Sequence, residues 1–91
     1  MPKTKQEKSE QRSELLPAQI KMARAALGWG VRDLAKAAKV SGDTVNRLEM
    51  GEQLRPRTLS AIRVAIEKAG IVFIAANGGG AGVRFKRKAK R

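Results

Sequence analysis

Over residues 41–47 the chain reads Ser-Gly-Asp-Thr-Val-Asn-Arg, a run dense in hydrogen-bonding groups. The planar fork of Arg47 matches O6 and N7 of guanine, and the Asp43 carboxylate can accept from the amino group of cytosine. Thr44 and Asn46 offer a hydroxyl and an amide beside them. Further on, Arg55-Pro56-Arg57 sets two guanidinium groups around a stiff proline, an arrangement suited to phosphate oxygens. Catalytic chemistry finds no comparable foothold. Histidine and cysteine are absent, which removes imidazole bases, thiol nucleophiles, disulfides and Cys/His metal sites together. The carboxylates are scattered, and Gly78-Gly79-Gly80-Ala81-Gly82 lacks the strand, the Lys-Ser/Thr pair and the helix of a phosphate-binding loop. The expectation is a protein without enzymatic activity, cofactor or metal.

The charge balance supports a polyanionic partner. Twenty Lys and Arg stand against eight Asp and Glu, a formal net charge of +12 over 91 residues. So strong an excess attracts nucleic acid, and the length suits one small domain. No apolar run approaches the ~20 residues that span a bilayer. The N-terminal stretch has basic residues but no apolar stretch of the secretory kind. A cytoplasmic protein with no membrane partner is expected.

The elements that must position these groups follow from periodicity. Residues 1–14 hold almost nothing apolar and are expected to form a flexible polar arm. Pro17 suits a first helical turn, and Ile20, Ala23 and Leu27 recur on one face until Gly28, predicting a helix over 17–27. Gly30 serves as N-cap for a second, 31–38, with Val31, Leu34, Ala35 and Ala38 inward. Ser41 caps a third, 42–50, whose Val45 and Leu48 face the core and which Gly51 ends. Residues 51–56 read as a loop. A fourth helix opens at Arg57 and Thr58, with Leu59, Ile62, Ile66 and Ala69 on its stripe, and closes at Gly70. Ile71-Val72-Phe73-Ile74 and Val83-Arg84-Phe85 then flank Asn77-Gly78-Gly79-Gly80, predicting a β-hairpin over 71–85. The last residues, 86–91, form a basic tail, expected to be disordered.

Two short helices joined by Lys39-Val40-Ser41-Gly42 describe a helix-turn-helix. Ala35 is small where the third helix must cross the second closely. The residues that carry this pattern also resemble a family. Ile20-Lys-Met-Ala-Arg-Ala-Ala-Leu-Gly-Trp29, Leu34-Ala35 and the run from Val40-Ser41 to Leu48-Glu49-Met50-Gly51 are similar to the phage repressor and Cro (XRE) helix-turn-helix proteins, over about residues 17–70. The resemblance implies a mainly α, lambda-repressor-like bundle of about four helices, here with a C-terminal β-hairpin in place of a fifth helix. It implies that the third helix enters the major groove of double-stranded DNA. Gly42, Asp43, Thr44, Asn46 and Arg47 are then the candidates for base edges, with Gly42 allowing close backbone approach. Ser41, Arg32, Arg55 and Arg57 are the candidates for phosphates. Relatives carry Ser or Thr and then Gln where this chain has Gly30 and Val31, leaving Arg32 or Arg55 to compensate for the glutamine. The family also implies a structural ion pair between Arg24 and Glu49. Trp29 is expected to pack between the first two helices.

One such unit reads only ~4–5 base pairs, and helix-turn-helix proteins extend the site by dimerising on a palindrome. Both faces of the hairpin are apolar, which asks for cover on both sides: the fourth helix is a candidate for one and a second subunit for the other, the alternative being a hairpin that only caps its own core. The expectation is a homodimer through Ile71, Val72, Phe73, Ile74, Val83 and Phe85. Lys86, Arg87, Lys88, Lys90 and Arg91 would add phosphate affinity that does not depend on sequence. The composite is a sequence-specific transcriptional regulator. The rival readings are an antitoxin whose C-terminal segment holds a protein partner, and a basic module for protein or RNA.

Overall fold

The computed structural model describes residues 15–76 and 78–86. The arm expected over 1–14, Asn77 of the turn and the tail from Arg87 onward lie outside the described residues. Four helices come first: α1 (Pro17–Leu27), α2 (Val31–Ala38), α3 (Gly42–Glu49) and α4 (Pro56–Lys68). Strands β1 (Ile71–Ile74) and β2 (Gly82–Phe85) follow. The chain is thus mainly helical with a C-terminal antiparallel hairpin.

Helices α1, α2 and α3 close in the same way. A left-handed residue turns the chain, and two amide groups reach back to the last carbonyls. At α1 the residue is Gly28 (φ 70°), with the Gly28 amide on Ala25 and the Trp29 amide on Arg24. At α3 it is Gly51 (φ 95°), with the Gly51 amide on Leu48 and the Glu52 amide on Arg47. At α2 the position falls to Lys39 (φ 59°), a residue with a Cβ where glycine is easier. The turn it makes is short enough to bring α3 across α2, and Val40 N–H bonds to Ala35 O at 2.9 Å.

The N-termini are served by different means. Asp33 accepts from the Gly30 amide at 2.8 Å, while Ser41 Oγ accepts from the Thr44 amide at 3.1 Å. Helix α4 starts one residue earlier than the sequence suggests. Pro56 is its first helical residue rather than part of the loop, because a missing N–H costs nothing there and the fixed φ suits the helix. Helix α3 ends at Glu49, with Met50 as its C-cap.

Ile20, Leu34, Val45, Ile62, Ile66 and Ile71 are the largest fully buried side chains, and they come from every helix and from β1. Ala23, Ala35, Ala38 and Ala65 fill the close crossings. On α4, Ala65 takes the buried place expected for Ala69, which is the exposed C-cap. Trp29 packs half-buried against this core.

The hairpin pairs Ile71 with Phe85, Val72 with Arg84, Phe73 with Val83 and Ile74 with Gly82. Directly opposed residues share a face, so Ile71, Phe73 and Val83 pack together on the core and Val72 and Ile74 lie on the other side. Ile71 is 2% exposed. It was expected at a dimer surface, and its own chain covers it instead. The reason is the strand's period of two, which sends Ile71 and Phe73 inward, with β1 lying against α4 and β2 against α1.

Candidate nucleic-acid interface

Helix α3 is anchored by one face only. Val45, Leu48 and Glu49 are buried, while Asp43, Asn46 and Arg47 are exposed and Gly42 and Thr44 half-buried. This division follows from the 3.6-residue period: positions 45, 48 and 49 fall on one stripe and positions 43, 46, 47 and 50 on the other. Ser41 shapes the leading turn. Its hydroxyl caps the Thr44 amide and lies 2.9 Å from the Thr44 hydroxyl. The first turn is therefore held by side-chain as well as main-chain hydrogen bonds.

Gly42 is not required by the fold. Its backbone is not left-handed, and a Cβ there would meet only Val31 Cγ1, at an ordinary 3.7 Å.

Arg47 is the most elaborated side chain on this surface. Its Nε donates to Glu52 Oε1 at 3.0 Å, and its Nη1 lies 3.8 Å from Asp43 Oδ2. The hydrogen bond to Glu52 leads the causes that raise the pKa of Arg47, followed by the attraction of that carboxylate. Glu52 is the residue that the sequence reading missed. The available signal was an acid immediately after the left-handed glycine that follows the helix's C-cap.

Behind the surface, Arg24 on α1 and Glu49 on α3 are brought together. Arg24 Nε and Nη2 donate to the two carboxylate oxygens, at 2.6 and 2.9 Å. A third nitrogen, Nη1, donates to the Trp29 carbonyl at 3.1 Å. The bond to Glu49 raises the pKa of Arg24, against a smaller opposing effect of burial. The arrangement fixes the end of α3 to α1 and to the α1–α2 turn.

The remaining candidate cations sit at helix N-termini. Arg32 follows the first residue of α2, Arg55 is the N-cap of α4, and Arg57 is its second residue. All three are exposed. Cations oppose the helix dipole at these positions, so they bring little to stability. The start of α4 has no acidic residue and no side-chain cap, which leaves amide groups and guanidinium groups together for an anion.

Gln19 is a second residue that the sequence did not single out. It is 3% exposed. Its Nε2 donates to the carbonyls of Ile74 and Gly82, each at 3.1 Å, and its Oε1 accepts from the Leu16 amide at 2.9 Å. One carboxamide thus ties the start of α1 to the turn end of the hairpin. No helix among the described residues is long and apolar enough to cross a membrane.

Comparison with known proteins agrees with this architecture. No curated protein gives a significant match. A family model described as a helix-turn-helix domain matches residues 15–67, which takes in α1, α2, α3 and all but the last residue of α4, with the α2–α3 turn and the Arg24–Glu49 pair. With that match over more than half of its length, the chain belongs to the helix-turn-helix domain family.

Proposed function

We propose that the protein is a sequence-specific regulator of transcription that binds double-stranded DNA as a homodimer, with α3 in the major groove. The observation that carries this reading is the one-sided anchoring of α3. Its buried face and ion pair hold it rigidly, while Asp43, Asn46 and Arg47 remain open to solvent. Gly42, Asp43, Thr44, Asn46 and Arg47 then meet base edges. Ser41, Arg32, Arg55 and Arg57 hold phosphates, and the three arginines owe their unfavourable places at helix N-termini to that role. Chain charge of +12 supplies the general attraction.

Selection of bound duplexes from a random pool at physiological salt tests the proposal. A recovered palindrome with half-sites about one helical turn apart supports both specificity and dimerisation. Equal retention of all duplexes, or preference for RNA, would refute it.

A further inference from the structure

Arg47 and Glu52 are fastened to one another twice. The main chain makes the first connection: the Glu52 amide donates to the Arg47 carbonyl at 2.9 Å, in the turn that Gly51 closes with its left-handed φ of 95°. The side chains make the second, Arg47 Nε to Glu52 Oε1 at 3.0 Å. Glu52 therefore sits beside Arg47 because of the way α3 ends. A surface ion pair between long side chains ordinarily contributes little, since ordering both offsets the attraction. Here the cap has already fixed one partner's backbone, so less ordering is left to the pair.

The choice of nitrogen matters. A guanidinium group can present either of two forks, Nε with one terminal nitrogen or the two terminal nitrogens together. Glu52 occupies Nε. Nη1 and Nη2 make no hydrogen bond among the described residues, and Nη1 lies 3.8 Å from Asp43 Oδ2. What remains is the end-on fork, whose two donors match O6 and N7 of one guanine. The carboxylate also cancels the arginine's charge, which lowers its value for any phosphate that drifts past.

We propose that Glu52 is a specificity-determining positioning residue: it holds Arg47 with the end-on fork outward, so that Arg47 reads a guanine rather than gripping the backbone. This deepens the reading of α3 as a recognition helix and rests on it. Glu52 touches no base in this scheme.

The test measures binding of the full chain to its selected duplex and to a scrambled duplex, for the wild type, E52A, E52Q and R47A, with thermal melts to show that each variant folds. E52A is expected to reduce the ratio of selected to scrambled binding by about tenfold, with scrambled binding rising as a negative charge is lost. E52Q, which keeps an acceptor for Nε, is expected to retain more of that ratio than E52A. A selected duplex carrying 7-deazaguanine, which lacks the N7 acceptor, should weaken the wild type several-fold and E52A much less. A ratio lost in R47A but unchanged in E52A overturns the proposal and leaves the DNA reading intact. So does an equal rise of both affinities in E52A, which would make Glu52 a mere repulsive charge. A wild type without preference for any duplex overturns the recognition-helix reading itself, and this proposal with it.

Discussion

Arg24 and Glu49, on α1 and α3, meet through two parallel hydrogen bonds, Nε to Oε2 and Nη2 to Oε1. The pair is unequal in burial. The Glu49 side chain keeps 6% of its surface in water and the Arg24 side chain 21%. Removing the cation therefore strands a buried carboxylate, whereas removing the carboxylate leaves a guanidinium with water and the Trp29 carbonyl. R24A is expected to cost about 3 kcal/mol and E49A about 1–2 kcal/mol. R24K should recover little, because an ammonium cannot form the fork. Denaturant unfolding of the three variants checks the order, and E49A as costly as R24A would contradict it.

Gln19 is a second tie that stability measurements can isolate. Q19A removes a buried carboxamide and the two hydrogen bonds that it donates to the Ile74 and Gly82 carbonyls, at an expected cost of about 1–2 kcal/mol. Hydrogen exchange should quicken first in β1 and β2. Q19E should be worse at neutral pH, since an ionised carboxylate faces two carbonyl oxygens. Acidification should return part of the loss, because the protonated acid can donate to one of them.

Lys39 holds a left-handed conformation that glycine adopts without strain. K39G is expected to raise stability by about 0.5–1 kcal/mol, the relief of strain exceeding the added freedom of the unfolded chain. The melting temperature reports it. A fall would mean that the Lys39 side chain makes contacts worth more than the strain.

Gly42 separates folding from binding. G42A meets only an ordinary contact with Val31 and should stabilise α3 by about 0.5 kcal/mol through helix propensity. If the leading turn of α3 approaches bases closely, the same methyl group should weaken the selected duplex roughly tenfold. Full affinity in a stable G42A protein would place this turn away from the DNA.

The hairpin offers a partner less than its sequence suggests. Ile71 is enclosed, and Phe73 and Val83 face the chain's own core. Val72 and Ile74 on the outer face and Phe85, 59% exposed, remain. If dimerisation uses either face of the hairpin, V72K/F85K, which puts one charge on each, should sediment as a monomer while keeping the wild-type circular dichroism. A dimer that survives both charges must be built elsewhere.

The elements themselves were written in the sequence. Ile20, Ala23, Leu34, Ala35, Val45 and Leu48 recur at helical spacing, Ser41 and Gly51 bracket α3, and the β-branched and aromatic run at residues 71–74 favours a strand. Such signals are local, because they express backbone preference and the period of burial. The Arg24–Glu49 pair came from resemblance to a family, since twenty-five residues of separation leave no periodic trace.

Tertiary structure decided the rest. The local pattern could show that both faces of the hairpin are apolar, but only packing against α1 and α4 chose which face is buried. Gln19 reads as a polar residue beside an apolar stripe until two strand-end carbonyls arrive within its reach. Glu52 looks like loop charge until Gly51 folds it back onto Arg47. In each case the interaction joins groups whose separation is set by how the chain packs or turns in three dimensions, and a one-dimensional period carries no information about that distance.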